Sequence, residues 1–427
     1  MSTHPDEPAG QPGETSRPER AFAERYAADE GWTFETLAVH AGQEPDELTG
    51  AVAPPIYQTS TYAQDGIGRP RDGWEYARTG NPTRRRLERA VAALEGGTEG
   101  IAFSSGAAAT AMLAELALPG DEVVIGDDVY GGTFRLFERV LRPKGIDARY
   151  VDLAADPANV RAVLSPRTRL VWFETPTNPL LKLVDIAGVA DAIASHRGAD
   201  GERPLLVVDN TFASPAVQRP LDHGADIVFH SATKYLGGHS DTVNGIVVTS
   251  RAAVAERLRF LQNAIGAVPG PFDCFLVLRG LRTLALRTER HASNAAAVAD
   301  MLAARDDVDW LSYPGLRSGP HAHPQADLAA RQMRSPGGMV SFVPRPGGRH
   351  GRSARERATA ICESTRLFTL AESLGGVESL IELPAVMTHA SVAGSPLEVD
   401  PALIRLSCGI EAEADLLADL AAALDRA

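Results

Sequence analysis

Three lysines occur among the 427 residues, and the setting of one of them, Lys234, suits a nucleophile. It lies in the run His230-Ser231-Ala232-Thr233-Lys234-Tyr235-Leu236-Gly237-Gly238-His239, directly after an apolar strand pattern. An amine forms an imine with a carbonyl only when unprotonated, which favours a partly desolvated lysine among polar groups over one on a solvated surface. Lys144, between a proline and a glycine, reads as a helix-end surface residue, and Lys182, after a Thr-Asn-Pro turn, reads as exposed. In Val207-Val208-Asp209-Asn210-Thr211-Phe212 an acid ends a buried β-branched run. Ligands of doubly wound α/β sheets collect at the carboxyl ends of the strands, so Asp209 and Lys234 can meet over one aromatic cofactor. A carboxylate against a pyridine nitrogen keeps that nitrogen protonated, because two unit charges about 4 Å apart interact by roughly 4 kcal/mol at an effective dielectric near 20. Ser231 and Thr233 flank the lysine at alternate positions and offer hydroxyls to a phosphate. Each residue taken singly also fits a structural lysine, an acid ending a strand or a turn rich in Ser and Thr. The combination describes a site for pyridoxal phosphate (PLP).

Ser104-Ser105-Gly106-Ala107 falls between a strand pattern and a helix start, where free backbone N–H groups can hold a phosphate; a tight turn needing glycine is the competing reading. Gly66-Ile67-Gly68 lacks a third glycine and a strand-to-helix setting, and no Gly-Lys-Ser/Thr occurs for a nucleotide phosphate loop. Arg405, in Leu403-Ile404-Arg405-Leu406-Ser407, is a cation inside an apolar strand and needs an anion, either a structural carboxylate or a ligand. The eleven histidines form no metal constellation; His230 and His239 bracket Lys234 without the spacing of a helical ligand pair, so packing or surface roles are expected. Glu88, Arg89 and Glu95 read as a solvated helix face.

The elements that must position these residues alternate. A helix starts at Asn81 as N-cap with Pro82 in its first turn and stops at Gly96-Gly97. Strand patterns follow at 100–103, 123–125, 170–173, 205–208, 227–229 and 246–248, with helices over 107–118 and 134–141. That order implies an α/β fold with a mainly parallel sheet covered by helices on both faces. One long helical stretch around 276–301 bridges to a smaller C-terminal α+β domain, with strands at 339–343 and 404–406 and a solvated loop at 344–353. Residues 1–30 open with a segment lacking Val, Ile, Leu and aromatics over positions 1–20 and are expected to be disordered. Residues 31–85 form an irregular arm, 86–285 the large cofactor-binding domain and 286–427 the C-terminal domain.

Six segments carry a resemblance to the Cys/Met-metabolism family of PLP enzymes, which includes cystathionine γ-synthase, cystathionine γ-lyase and methionine γ-lyase. They are Ala53-Pro-Pro-Ile-Tyr-Gln-Thr-Ser-Thr-Tyr62, Glu75-Tyr-Ala-Arg-Thr-Gly-Asn-Pro-Thr83, Asp127-Asp-Val-Tyr-Gly-Gly-Thr133, Glu174-Thr-Pro-Thr-Asn-Pro179, the Asp209 and Lys234 segments together, and Leu370-Ala-Glu-Ser-Leu-Gly-Gly-Val-Glu-Ser-Leu380. The resemblance runs from about residue 33 to the C-terminus. It implies PLP fold type I, of the aspartate aminotransferase kind, and a homotetramer built from dimers with shared active sites. It assigns Lys234 and Tyr130 to catalysis, Tyr130 stacking on the cofactor ring and moving protons as a phenolate. Since tyrosine ordinarily titrates near pH 10, that role needs nearby cations. The resemblance also assigns Asn178 to the cofactor's phenolic oxygen, Gly106 and Ala107 to its phosphate, and Tyr76 and Arg78 to the phosphate of the adjacent subunit. Arg405 and Ser373 would hold the substrate α-carboxylate, Arg135 a distal carboxylate, and Glu372 would tune specificity. Ala107 stands where the family commonly has methionine.

The activity so implied is γ-replacement or γ-elimination on sulfur amino acids and activated homoserine, with synthase and lyase directions both open. Methionine γ-lyases typically carry cysteine in place of Gly132, so that branch is set aside, and cystathionine β-lyase ranks lower. A specialised biosynthetic enzyme for another γ-substituted amino acid, or a non-catalytic PLP-fold protein, are the alternatives. A net charge of −13 argues against general nucleic-acid binding. No apolar run approaches the roughly 20 residues needed to span a bilayer, and a cytoplasmic location is expected. Cys274, Cys362 and Cys408 are scattered and read as reduced packing residues.

Overall fold

The computed structural model describes residues 31–348 and 351–427; the tail over residues 1–30 lies outside them. Strands β1 (Glu99–Phe103), β2 (Glu122–Gly126), β3 (Asp147–Val151), β4 (Thr168–Glu174), β5 (Leu205–Asp209), β6 (Ile227–Ser231) and β7 (Gly245–Thr249) form a seven-stranded sheet in the order β1-β7-β6-β5-β4-β2-β3. The strands β3, β2, β4, β5 and β6 run parallel, and β7 is antiparallel to both β6 and β1. Successive strand residues point to opposite faces. Val123, Ile125, Trp172, Val207 and Phe229 pack on one face against helical Ala109, Leu113 and Leu258. Val124, Val171, Phe173, Leu206 and Val208 pack on the other against Val189 and Ile193. A sheet covered on both faces needs near-continuous apolar strands, which is why β2, β4 and β5 read as Val/Ile/Leu runs. Each such side chain contributes roughly 1.5–3 kcal/mol on burial.

A second sheet, order β10-β11-β12-β9-β8, comprises β8 (Val308–Ser312), β9 (Met339–Pro344), β10 (Thr369–Leu370), β11 (Leu380–Glu382) and β12 (Ile404–Ser407). Its core joins Phe342, Ile404 and Leu406 to Val298 and Leu302 of the helix Leu284–Ala303 and Leu420 of the last helix. The stretch expected as one helix is two, Pro271–Leu281 and Leu284–Ala303. Gly280 lies where a Cβ would stand 2.1 Å from the Gly237 carbonyl oxygen, so the chain passes close beneath the Lys234 turn before it bends. The helix over 107–118 ends at Ala114. Strands β3, β8, β10 and β11 carry no clear alternation and were not expected.

The first long helix, Pro82–Glu95, is capped as the sequence predicts: the Asn81 side chain accepts from Thr83 and Arg84 N–H, and Gly96 ends the helix at φ +75°. Its polar residues are not a solvated face. Glu88 and Glu95 are buried, because the helix is wedged between β1 and the helix Pro271–Leu281. Glu88 accepts from the Ala102 N–H at 3.0 Å and pairs with Arg259 at 3.4 Å, whereas Glu95 binds His230 at 2.5 Å and Asn210 Nδ2 at 2.8 Å. Only Arg89 of the three is exposed, on Glu44. Lys182 is also not free at the surface; it is half-buried and donates to Asp127 at 2.8 Å. The three cysteines are free and buried. Among the described residues no helix is long and apolar enough to cross a membrane.

Candidate active site

The carboxyl ends of β4, β5 and β6 place Glu174, Asp209 and Ser231 along one rim. They border a cavity of about 780 Å³ that Arg405 of β12 and Ser373, in the connection between β10 and β11, also line. Lys234 follows β6 by three residues, in a turn tied by its own N–H to the Ser231 carbonyl. Its ammonium donates to Ser373 Oγ at 2.7 Å. Burial, helped by Arg405, lowers the Lys234 pKa to about 8, so the neutral amine is within reach near neutral pH. Ser373 itself stands at φ +93°, a left-handed conformation that costs a non-glycine residue of order 1–3 kcal/mol. Arg405 Nη2 donates to the Ser373 carbonyl at 2.9 Å and holds it there.

Asp209 is half-buried at the end of β5 and accepts from the Thr211 N–H at 2.9 Å. Glu174, unmarked by sequence reasoning, lies opposite it in register on β4. Two carboxylates side by side, one buried and one half-buried, resist double ionisation. Burial and Asp209 push Glu174 well above the usual carboxylate range, while Asp209, also raised by burial, is held back by its Thr211 bonds. Glu174 Oε1 accepts the Tyr130 N–H at 2.7 Å and so fixes the turn that aims the Tyr130 ring. The signal for it was present, in that an acid ends the apolar run Leu170–Phe173 as Asp209 ends its own.

Gly106 opens the helix Gly106–Ala114, with Ser105 as N-cap accepting from Ala108 N–H at 3.0 Å. The first turn leaves the N–H groups of Gly106 and Ala107 without intrahelical acceptors. A Cβ on Gly106 would lie 2.7 Å from Ser231 Cβ, so the glycine lets the helix start press against the end of β6. Ser231 N–H donates to Thr211 Oγ1 at 2.9 Å. The Thr233 hydroxyl, expected as a phosphate donor, accepts from Asn244 N–H at 3.0 Å and donates to the Asn244 carbonyl at 3.3 Å, so it is already shared with the backbone. These groups fit the three parts of PLP: an amine of lowered pKa for the carbonyl, a half-buried acid for the ring nitrogen, and a helix start with adjacent hydroxyls for the phosphate.

Arg405 donates from Nη1 to Asn178 Oδ1 at 2.8 Å and lies 3.0 Å from Glu382 Oε1. Arg135 and Glu372 also line the cavity, so the predicted lysine, acid, serine, threonine, asparagine and arginine positions converge. Tyr76 and Arg78 do not: Arg78 lies over the Tyr76 ring at 5.4 Å and donates to Asn263 Oδ1 at 3.2 Å, away from this cavity. The phenolate expected of Tyr130 is not supplied by this chain. Burial raises the Tyr130 pKa, with Glu372, Glu174 and Glu382 adding to the rise, and Arg135 opposes it too weakly. A Cβ at Gly132 would fall 2.3 Å from Tyr130 Cε1, so this ring position requires glycine there.

A family model described as Cys/Met metabolism PLP-dependent enzyme matches residues 35–425. The chain belongs to that family. PLP is therefore the enzyme's cofactor, and the cavity at the strand ends is where its residues fit it. The enzyme is 56% identical over 390 residues to a protein named cystathionine gamma-synthase from Mycobacterium tuberculosis, covering 91% of this chain and 96% of the relative. It is 51% identical to one named cystathionine beta-lyase from Coxiella burnetii, covering 92% and 97%. The crystal structure of cystathionine gamma synthase from Xanthomonas oryzae pv. oryzae in complex with cystathionine superposes with a TM-score of 0.85 at 44% identity, over 92% of this chain and 98% of the other. The type I α/β fold is thus shared over nearly the whole chain.

Proposed function

We propose that the enzyme replaces the γ-substituent of an activated homoserine with a thiol, forming a thioether amino acid, and that it eliminates the substituent when no thiol is bound. The observation that carries this reading is the meeting of Lys234, Asp209 and Arg405 in one cavity with Arg135 and Glu372 at its margin. The relatives named cystathionine gamma-synthase, at 52–56% identity, support the replacement direction over those named cystathionine beta-lyase, at 48–51%.

When bound, PLP withdraws electrons from the substrate's α-carbon. Asp209 would keep the ring nitrogen protonated, and Gly106, Ala107 and Ser231 would hold the phosphate, with Thr233 joining them by giving up its bond to the Asn244 carbonyl. Arg405 and Ser373 would fix the α-carboxylate, which brings the α-hydrogen toward Lys234 Nζ. An amine titrating about 8 can take that proton and return it to a neighbouring carbon at physiological pH. Tyr130 would cover the ring and, as a neutral phenol, donate or relay a proton. Arg135 would accept the distal carboxylate, and Glu372, the residue just before Lys234's partner Ser373, would discriminate among γ-substituents by charge.

Tyr76 and Arg78 would complete the site of a neighbouring subunit, in dimers that pair into a cytoplasmic homotetramer, with the arm of residues 31–85 crossing between subunits. Residues 86–285 and 286–427 would serve as cofactor and substrate-closing domains. Steady-state assays with O-succinylhomoserine or O-acetylhomoserine plus cysteine test the reading. Cystathionine formation faster than oxo-acid release is expected. Turnover of cystathionine to homocysteine without any γ-replacement would overturn it in favour of β-elimination.

A further inference from the structure

The guanidinium of Arg405 is already occupied on its far side. Glu382 sits directly across from it in the β11–β12 register, with Oε1 3.0 Å from Arg405 Nη2. Both side chains are buried, at 1% and 2% exposure. Thr388 Oγ1 donates to the same Glu382 oxygen at 2.8 Å, whereas Glu382 Oε2 is buried without a partner among the described residues. Asn178 and the Ser373 carbonyl take one N–H each, leaving Nε and one Nη1 hydrogen of Arg405 unclaimed among the described residues. Glu382 does not line the cavity; it reaches the site only through Arg405.

An anion that binds Arg405 therefore meets a cation whose charge is already compensated, and it lands near a carboxylate with no exit to solvent. Two carboxylates sharing one buried guanidinium repel each other unless one carries a proton. An unpartnered Oε2 is the atom that can accept it. We infer that Glu382 is a positioning residue and proton switch for substrate recognition: it neutralises Arg405 while the site is empty and takes up a proton when a substrate carboxylate arrives. This rests on the reading of Arg405 as the carboxylate site.

The other groups facing Glu382 do not compete for that role. His389, whose Nδ1 lies 2.9 Å from Thr388 Oγ1 and whose Nε2 faces the Asn178 carbonyl at 3.1 Å, is held neutral by burial, its pKa lowered to about 4. Cys362, from the helix Ala354–Ser364, is a neutral thiol pushed up to about 12. Tyr130 is a neutral phenol, Lys234 donates to Ser373 and in the loaded enzyme would be engaged by the cofactor, and Glu372 is exposed at the cavity margin. Burial raises Glu382 above the ordinary carboxylate range, although Arg405 opposes the rise. Carboxylate affinity should then fall as pH rises through the titration of Glu382 in the empty site, by at most about tenfold per pH unit for one linked proton.

The test uses the PLP-loaded enzyme and butyrate, which has a carboxylate and a γ-carbon but no amine to react with the cofactor. Its inhibition constant is followed against pH, and isothermal titration in two buffers of different ionisation enthalpy counts protons taken up. The cofactor's visible absorbance in the same titration separates any proton taken by its imine. Wild type should show uptake approaching one proton and weakening affinity with pH. Glu382→Gln should abolish both and bind butyrate roughly fivefold or more tighter at alkaline pH, the repulsion being removed. Glu372→Gln should keep the wild-type slope. No proton uptake by wild type, or a slope unchanged in Glu382→Gln, overturns the inference. Butyrate binding undiminished in Arg405→Ala would instead overturn the carboxylate assignment of Arg405 itself.

Discussion

An ammonium enclosed by protein costs folding energy that a neutral amine does not, and Lys234 shows the consequence. Its pKa of about 8 in the folded chain lies below the ordinary lysine value of 10.5. Between those values the unfolded chain holds the proton more tightly, so the stability of the cofactor-free protein rises with pH across that window. The whole shift corresponds to about 3 kcal/mol. Urea melts of the apoprotein between the two values should show this rise, and Lys234→Ala should flatten it. The opposite slope, or none, would mean that the amine is solvated. Glu174 and Glu382 are acids of the same buried kind, and both act on a neighbour: Glu174 on the backbone of Tyr130, Glu382 on Arg405.

Elements bring these residues together by close backbone approach. Gly106 lets a helix start lie against Ser231, and Gly245 allows a strand to pass where a Cβ would stand 2.1 Å from the Ser105 carbonyl oxygen. Gly106→Ala should push the helix start away from β6. Its effect should fall on cofactor retention, with PLP dissociation strengthened roughly tenfold or more, and stability lowered by about 1–3 kcal/mol from overpacking. Fluorescence titration of PLP into the apoprotein beside a urea melt separates the two, and unchanged PLP affinity would contradict the phosphate role of that helix start. Most of this frame is legible in the sequence. Strands β2, β4, β5 and β6 read as apolar runs because both sheet faces are covered, and Asn81 and Gly96 announce the helix between them. Edge strand β3 and the short strands of the second sheet do not read, since partly exposed or brief strands lack a sustained pattern. The helical face of Glu88 and Glu95 misleads because polarity predicts solvent, whereas here tertiary contacts supply buried partners from β1, β6 and distant helices. Lys234 and Asp209 were legible as a pair by their place at strand ends; Glu382 was not, because its meaning depends on a cross-strand partner 23 residues later, Arg405.

At the scale of the whole molecule, Tyr76 and Arg78 stand apart from the cavity of their own chain, and Arg135 alone does not offset the burial that raises the Tyr130 pKa. Both observations fit a site finished by another subunit. Mixing an Arg78→Ala protein with a Lys234→Ala protein, after exchange of subunits, should restore activity to about a quarter of wild type, because half of the dimers would then carry one intact site of two. No recovery after verified exchange would place Arg78 outside the shared site. Every proposed role depends on a bond between Lys234 and PLP, and its most direct measurement is borohydride reduction of the loaded enzyme followed by peptide mass spectrometry. A stable pyridoxyl adduct confined to the peptide containing Lys234 is predicted. An adduct on Lys144 or Lys182, or none in enzyme freshly loaded with PLP, would contradict it.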